Sequence, residues 1–349
     1  MKIIVDAMGG DSAPQSNVRG AVAAIKELGV EVILVGRGEE ILRCLKDDGM
    51  DTLPAGLEIA HAAQVVEMCD NPATAFKEKK DSSLTVGLNL LKEGKGAAFV
   101  SAGSTGALLS AATLMVKRIK GIRRAALAPV VPTGKGGAVL IDAGATAECA
   151  PEYLLQFAFM GSYYAERVLG RPEPKVGLLN IGAEPSKGTD LQRETHALLT
   201  ETAGAGRINF VGNVEAREAV YGEVDVIVSD GYSGNIFLKT MEGTGGFLAK
   251  ELKAMFKQSL ITKLGALCVK DGLMRFKKLL DAGEVGGTAL LGISKPVIKA
   301  HGSSDDYAIK NAIRQAAAFA SSGIIEDVAE NIDHMRLERT SGKEAAGEI

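Results

Sequence analysis

The chain has 349 residues and a formal net charge of −3 at pH 7, and 46% of its residues are hydrophobic, with no tryptophan among them. A chain of this length can bury a large core, and the slight excess of negative charge argues against nucleic acid as a partner. The four cysteines form no Cys-x-x-Cys pair, so we expect neither a disulfide framework nor a metal site.

The termini and the hydropathy pattern bear on where the protein works. The apolar run that precedes Asp6 is too short for a signal peptide. No run approaches the roughly 18 apolar residues that a membrane-spanning helix requires. We therefore expect a soluble protein of the cytoplasm.

Apolar strands and amphipathic helices alternate along most of the chain. Strands are predicted at residues 2–6, 32–36, 57–60, 97–101, 136–142, 176–180, 208–211, 224–230, 286–293 and 296–299. Helices are predicted at 14–28, 39–46, 82–93, 151–169 and 305–330, with others ending near residues 117 and 201, and a loop with a short helix at 66–80. This alternation predicts a parallel sheet with helical crossovers.

Five predicted strands end in short, glycine-rich turns, at residues 6–11, 101–106, 142–145, 180–188 and 229–235. Ligands bind beyond the carboxyl ends of the strands in an open parallel sheet. The free N–H groups of the helices that follow attract anions. We therefore predict a phosphate or other anion site at this edge. The turns contain neither a P-loop nor a clean Gly-x-Gly-x-x-Gly pattern, so nucleotide signatures are absent.

The segment 224–240, VDVIVSDGYSGNIFLKT, predicts a strand up to Asp230, a turn of small residues and a helix from Ile236. Asp230 repels an anion unless it is paired, so we assign it to orient a donor or to accept from a substrate hydroxyl. Asn235 carries a donor and an acceptor on one amide. The alternative is a plain turn in which a serine or asparagine caps the helix.

His301 lies at a further strand-to-helix junction. A histidine there can donate to an anion or move a proton. A purely structural histidine is the alternative.

Residues 247–282 are predicted to form a helical hairpin, with helices at 247–267 and 272–280. Between residues 247 and 281 there are eight lysines and arginines against three acidic residues, a local net charge of +5. A basic amphipathic hairpin can lie on an anionic membrane or bind an acidic partner, while packing in a core or a dimer is the alternative. The apolar residues predicted to contact the membrane are Leu260, Ile261, Leu264 and Leu267. We expect one α/β domain over residues 1–335, with a division into two lobes left open, and a frayed tail at 336–349.

Several blocks resemble the bacterial phosphate acyltransferase family of phospholipid synthesis. The matching blocks are DAMGGD at 6–11, SAGSTGA at 101–107, DAGA at 142–145, NIGAEPSKG at 180–188, VSDGYSGNIFLKTMEG at 228–243, ALLGI at 289–293 and IKAHGSSD at 298–305. They occur in order over residues 1 to about 325 and together are highly specific. The chain departs from the family pattern at 281–287 and in its longer tail, which bears on the acyl chain rather than on the reaction class.

The resemblance implies a three-layer α/β fold with a mostly parallel sheet, of the phosphotransacetylase and isocitrate dehydrogenase type, and a homodimer whose helical hairpin protrudes towards the membrane. It implies transfer of an acyl group from acyl-acyl carrier protein to inorganic phosphate, without a cofactor. The acyl-phosphate product would pass to a downstream glycerol-3-phosphate acyltransferase. Two alternatives are an NAD(P)-dependent dehydrogenase of the isocitrate-like group and a non-catalytic scaffold for the acyl carrier at the membrane.

The site residues follow from the resemblance and from the turns. We assign Lys187 to the phosphate, Asn235 to the oxyanion, and His301 to the phosphate or the leaving thiolate. Asp6, Asp142 and Asp230 are assigned to orient these donors. The full set of predicted phosphate- and substrate-binding residues is Asp6, Gly9, Gly10, Ser101, Gly103, Ser104, Thr105, Gly106, Asp142, Asn180, Gly188, Asp230, Gly231, Ser233, Gly234, Lys239 and Gly302.

Overall fold

The structure, a computed structural model, describes residues 1–280 and 282–335. The predicted tail at 336–349 lies outside the described residues, as does Asp281 of the predicted hairpin. The strands are β1 (Lys2–Asp6), β2 (Glu31–Gly36), β3 (Leu57–His61), β4 (Ala98–Ser101), β5 (Ala126–Ala128), β6 (Val130–Thr133), β7 (Gly136–Ile141), β8 (Val176–Asn180), β9 (Phe210–Glu215), β10 (Val226–Val228), β11 (Thr288–Leu291) and β12 (Val297–Lys299).

The helices pack on both faces of the sheets. They are α1 (Gln15–Leu28), α2 (Gly38–Asp47), α3 (Ala75–Glu78), α4 (Ser83–Lys92), α5 (Thr105–Ala111), α6 (Pro151–Arg167), α7 (Asp190–Gly204), α8 (Ala216–Ala219), α9 (Gly231–Lys257), α10 (Leu260–Cys268), α11 (Lys270–Leu280), α12 (Ala282–Val285), α13 (Asp306–Ala320) and α14 (Ile324–Glu330). A π-helical turn at Ala112–Val116 extends α5, and a 3₁₀ turn lies at Ile332–Met335.

The strands form two sheets, which are mostly parallel. The first has the order β3-β2-β1-β4-β12-β11-β5, and the second has the order β6-β7-β10-β8-β9. In the first sheet β11 is antiparallel to both of its neighbours, and in the second β6 is antiparallel to β7. The prediction of an α/β fold with a mostly parallel arrangement is confirmed, but the strands belong to two sheets rather than one.

Alternating side chains of the strands enter two apolar layers. In β1, Ile3 and Val5 lie in one hydrophobic cluster, whereas Ile4 lies in the other. In β10, Val226 and Val228 join the first cluster and Ile227 joins the second. A strand points successive side chains to opposite faces, so both faces of each sheet are apolar and are covered by helices. Each of the two hydrophobic clusters contains residues from both sheets.

Three element predictions were wrong in detail. Strands β5 and β6 were not predicted, because runs of three and four residues are too short to show a period. The predicted terminal helix is divided into α13 and α14 by Gly323, whose φ of 76° is left-handed. The predicted turn at 231–235 is helical, since α9 begins at Gly231 with Asp230 as its cap.

The predicted hairpin has a different internal division. Helix α9 runs without a break for 27 residues to Lys257, and α10 starts after Ser259. The Ser259 Oγ accepts from the Thr262 N–H at 3.1 Å, which caps α10 and separates it from α9. No side chain of α10 is buried. Within the described residues, no helix is both long and apolar enough to cross a bilayer.

Candidate functional site

The first row of site residues lies at the carboxyl ends of three parallel neighbours, β1, β4 and β12. Ser101 pairs with Lys299 in the register of β4 and β12, and Asp6 ends β1 on the other side of β4. Neighbouring strands lie about 4.8 Å apart, so these three side chains stand side by side at one edge of the sheet.

Asp6 and Ser101 form a buried polar pair. The Ser101 Oγ donates to Asp6 Oδ2 at 2.7 Å and accepts from the Gly103 N–H at 3.1 Å, and the Met8 N–H donates to Asp6 Oδ1 at 3.1 Å. Burial raises the pKa of the Asp6 carboxyl above its ordinary value, against the hydrogen bonds from Ser83 and Ser101, which lower it. Asp6 therefore holds the turns at 6–11 and 101–106 in place.

A small cavity adjoins this pair. Its volume is about 10 Å³, close to what a single water needs. It is lined by Asp6, Gly9, Val65, Val66, Ser83, Leu84, Ser101, Gly103 and Ser104.

Glycines allow three turns to pack against one another here. A Cβ on Gly9 would lie 2.6 Å from the Gly103 nitrogen, and Gly10 adopts a φ of 103° beside Ala102 and the Gly302 carbonyl. The Asp11 N–H donates to the Gly302 carbonyl at 2.8 Å. The turns at 6–11, 101–106 and 301–304 are therefore one packed unit, which brings together the predicted residues Asp6, Gly9, Gly10, Ser101, Gly103 and Gly302.

The remaining predicted residues of the 101–106 turn begin α5. Ser104 caps the helix, with its Oγ 3.5 Å from the Ala107 nitrogen. Thr105 lies in the first turn, and Gly106 packs against Pro72, where a Cβ would meet the proline ring at 2.9 Å. Pro72 thus adds the loop before α3 to the wall of the site.

His301 is exposed at the mouth of this unit. Its Nδ1 lies 2.8 Å from the Ser303 Oγ and 3.3 Å from the Ser303 nitrogen, which donates to it. A ring nitrogen that accepts an N–H is unprotonated, so the neutral ring carries its proton on Nε2. The side chain can therefore offer Nε2–H to an anion.

Lys299 was missed by the sequence analysis. It is only 8% exposed, and its Nζ donates to the Ala102 carbonyl at 3.3 Å and to the Ala300 carbonyl. Burial lowers its pKa to about 8; the positive charge of Lys239 contributes, whereas Asp6 and Asp11 act in the opposite direction. The sequence did contain a signal, because this lysine ends an otherwise apolar strand. Lysine is rarely buried in proteins, so the pattern alone did not predict a buried position.

The second row lies at the carboxyl ends of β7, β10 and β8, which are parallel neighbours in that order. Asp142, Asp230 and Asn180 follow or end these strands. Asp142 is fully buried, and its two carboxylate oxygens accept N–H groups at 2.7–3.2 Å from Leu127, Gly144, Ala145 and Thr146. Burial raises the pKa of Asp142, against these backbone donors, which lower it. Asp142 is therefore an anchor for the 142–146 turn.

The start of α9 is pressed against that turn. The Gly231 N–H donates to the Thr146 carbonyl at 2.8 Å, and a Cβ on Gly234 would lie 2.0 Å from the Asp142 carbonyl oxygen. Asp230 caps the helix by accepting from the Ser233 N–H at 2.8 Å. The helix cap is thus the aspartate rather than the serine or asparagine of the alternative interpretation.

Asn235 is in the first turns of α9 and joins the two segments. Its Nδ2 donates to the Ala143 carbonyl at 2.9 Å, and it packs beside Gly144. An amide nitrogen carries two hydrogens, so one remains for a ligand. Lys239, about one turn further along α9, has its Nζ 2.8 Å from Glu242.

The turn at 180–188 holds the predicted lysine. Asn180 donates to the Lys187 carbonyl at 3.2 Å and accepts the Ile181 N–H at 2.8 Å. Gly188 has a φ of 87°, and a Cβ there would lie 2.6 Å from the Asn180 Oδ1. The Lys187 side chain is exposed, and no ion pair of it is found in residues 1–280 and 282–335.

Strand β5, at the edge of the first sheet, links the two rows. The Leu127 N–H and carbonyl of β5 bond to Asp142 Oδ1 and the Ala143 N–H, both at 2.9 Å. Only β11 separates β5 from β12, so two strand spacings, about 10 Å, lie between the strand of Lys299 and the strand that binds Asp142. The contacts group the predicted residues into these two rows, and in the described part of the chain no contact joins Lys187 to Asn235 or His301 directly.

Metal ligands are not clustered in this site or elsewhere in the described residues, where no three His, Cys, Asp or Glu side chains come together. The site is instead built from backbone amides, lysines, carboxamides and one histidine. Such groups can bind an anion and stabilise a developing oxyanion.

The sequence model of one family, described as "Fatty acid synthesis protein", matches residues 1–327. A phosphate acyltransferase of Alkaliphilus oremlandii is 48% identical over 96% of this chain and 98% of its own length, and one of Clostridioides difficile is 44% identical over 99% and 100%. The chain belongs to this family.

Several solved structures share the fold of this chain at low sequence identity. A phosphotransacetylase from Streptococcus pyogenes aligns with a TM-score of 0.63 at 20% identity, covering 92% of this chain and 94% of its own. A 4-hydroxythreonine-4-phosphate dehydrogenase from Klebsiella pneumoniae aligns with a TM-score of 0.53 at 14% identity, covering 92% and 98%. The predicted fold type is confirmed, and the fold alone does not separate an acyltransferase from a dehydrogenase.

Proposed function

We propose that the chain transfers a fatty acyl group from acyl-acyl carrier protein to inorganic phosphate, and so makes acyl-phosphate for phospholipid synthesis. The observation that carries the proposal is family membership over residues 1–327, with relatives named phosphate acyltransferase. The geometry supports it, because the predicted turns follow the carboxyl ends of parallel strands in both sheets, where ligands bind in folds of this kind.

The reaction begins with attack of a phosphate oxygen on the thioester carbonyl carbon. The new C–O bond gives a tetrahedral oxyanion, the C–S bond then breaks, and the thiolate of the carrier leaves and takes a proton. Phosphate is already ionised at pH 7, so the protein needs no strong base. It must position the reactants and stabilise the oxyanion.

Lys187 and Asn235 are the residues that we assign to charge stabilisation. The exposed Lys187 ammonium would bind phosphate, and the second N–H of Asn235 Nδ2 would donate to the oxyanion. Loss of one such donor costs about 3–4 kcal/mol, on the order of 10² to 10³ in rate. Lys187→Ala and Asn235→Ala should each lower turnover by that order.

The controls follow from the contacts. Because Asn235 also donates to Ala143, its variant needs a check of folding by circular dichroism and thermal unfolding. Lys187 is exposed, so its variant should unfold like the parent. Near-normal turnover in either folded variant would remove that residue from the mechanism.

His301 is assigned to the phosphate or to the departing thiolate. Because Nδ1 accepts from the Ser303 N–H, the ring would use its Nε2–H for a ligand. A His301→Gln variant keeps a donor but cannot exchange a proton near neutral pH. Retained activity in this variant would assign His301 to phosphate binding, and loss of activity would assign it to proton transfer.

Helix α10 is the proposed membrane contact. Leu260, Ile261, Leu264 and Leu267 are 77%, 81%, 64% and 67% exposed, respectively, and the surrounding residues 247–281 carry a net charge of +5. Apolar side chains beside basic ones favour the surface of an anionic bilayer. The proposal includes a homodimer acting in the cytoplasm at the membrane, and delivery of acyl-phosphate to a glycerol-3-phosphate acyltransferase.

One assay separates this function from its alternatives. Purified protein is mixed with acyl-acyl carrier protein with and without inorganic phosphate, and acyl-phosphate is measured. Phosphate-dependent product supports the acyltransferase. No product together with a fluorescence change on titrating NADH or NADPH would favour the dehydrogenase. No product together with binding of the acyl carrier would favour the scaffold.

A further inference from the structure

Lys299 is a buried cation that no assignment above uses. A lysine is seldom buried without a carboxylate partner. Here the Nζ acceptors found in the described residues are two carbonyls, those of Ala102 and Ala300, and no carboxylate pairs directly with the Nζ. The two carbonyls are neutral, so within the described residues no group that bonds to the Nζ carries the opposite charge.

The two carbonyls place the Lys299 Nζ close to the predicted phosphate-binding turns. Ala102 lies in the 101–106 turn of the packed unit, and Ala300 directly precedes its 301–304 turn. The Lys299 Nζ therefore sits where the bases of two proposed phosphate-binding turns meet. An ammonium has three N–H donors, and the two carbonyls take two of them.

Charges of both signs surround Lys299. Burial lowers the pKa of Lys299 to about 8; the attraction of Asp6 and Asp11 opposes this fall, and the repulsion by Lys239 of α9 adds to it. An anion that binds near both lysines would relieve the repulsion between them.

We propose that Lys299 is a phosphate-binding residue of this site, whose third N–H donates to the phosphate while the other two fix the Ala102 and Ala300 carbonyls. The proposal rests on the proposed function, since phosphate is the attacking substrate there. A bound dianion would compensate the charge that the two carbonyls leave.

Steady-state kinetics test the assignment. Lys299→Met removes the charge at similar length, and Lys299→Arg keeps the charge. Loss of a charge-assisted hydrogen bond should raise the KM for phosphate on the order of 10- to 100-fold in Lys299→Met. The KM for acyl-acyl carrier protein should change by less than about threefold, and Lys299→Arg should recover part of the phosphate affinity. Lys95→Met, at an exposed lysine, is the matched control and should behave like the parent.

Direct binding provides the second measurement. Inorganic phosphate alone should raise the unfolding temperature of the parent protein, and this shift should be lost in Lys299→Met and kept in Lys95→Met. The KM for phosphate in the parent should also rise as the pH passes about 8, where Lys299 loses its charge. In Lys299→Arg this rise should vanish, because arginine stays charged.

The outcomes separate the inference from the proposed function. Equal changes in both KM values, or a phosphate shift that survives in Lys299→Met, would make Lys299 merely structural and overturn the inference. If Lys299→Met does not fold, then the presence or absence of the rise above pH 8 in Lys299→Arg decides the matter. A protein that makes no acyl-phosphate but binds phosphate through Lys299 would refute the function and keep the inference.

Discussion

Burial of Lys299 should make the stability of the protein rise with pH through a defined window. The pKa of Lys299 is about 8 in the folded chain and 10.5 as the ordinary value of lysine. Between these values the unfolded chain binds more protons than the folded one, so the free energy of unfolding increases with pH. Below pH 8 the side chain is charged in both states and its contribution is constant.

The size of the effect follows from the shift. One pKa unit corresponds to 1.36 kcal/mol, so the shift from 10.5 to about 8 amounts to roughly 3 kcal/mol across the window. Urea unfolding of the parent and of Lys299→Met should be measured at several pH values from 7 to 10.5, without phosphate, which would bind the folded state. The parent should gain stability relative to Lys299→Met as the pH rises.

The control is again the exposed Lys95→Met, for which the difference from the parent should stay flat. Other groups that titrate in this range cancel in these differences, because parent and variant share them. A difference between parent and Lys299→Met that is flat, or that falls with pH, would show that the lysine is not held at a depressed pKa, and the reasoning from its burial would fail.

Three other predictions concern the second row and the exposed helix. Gly234→Ala, with its Cβ 2.0 Å from a backbone oxygen, should cost about 1–3 kcal/mol in urea unfolding, whereas Gly243→Ala in open space on the same helix should gain up to about 1 kcal/mol. Asp142→Asn replaces an acceptor by an NH₂ group facing backbone donors and should cost about 3 kcal/mol or more, measured likewise; parent-like stability would contradict its anchoring role. Leu260→Glu with Leu264→Glu should abolish pelleting with anionic liposomes and leave turnover in solution unchanged, and continued pelleting would return α10 to a packing role.

The strands of the first sheet were predictable because their apolar runs are long enough to show a pattern. The strand predicted at 2–6 has the observed bounds of β1, and that at 32–36 differs from β2 by one residue. The glycine-rich turns were predictable for a related reason, since close packing of Gly9 on Gly103 leaves no room for a larger residue. These are local requirements, which a sequence records directly.

The start of α9 shows what a sequence does not record. Its first residues, Gly-Tyr-Ser-Gly-Asn, have poor helix propensity and suggest a turn. They are helical because Asp230 caps them and because Gly231 and Gly234 allow contact with the 142–146 turn. That contact joins segments about 90 residues apart, so tertiary packing overrides the local preference.

Lys299 escaped prediction for a similar reason. Its neighbours Ile298 and Ala300 are apolar, but whether a terminal lysine of a strand bends back into the protein or out to solvent depends on which strands flank it. Likewise the sequence predicted that the turns face one edge, but not that they divide into two rows on two sheets. The roles of the individual side chains stay predictions.

The unbroken length of α9 sets a distance within the molecule. Twenty-seven residues at 1.5 Å each give a rod of about 40 Å, with Asn235 near one end and the apolar tip of α10 beyond the other. If α10 rests on a lipid surface, α9 holds Asn235 at a distance of up to about 40 Å from that surface. A domain of 100 residues has a radius of gyration of about 13 Å. A small carrier protein would therefore fit between the membrane surface and the site.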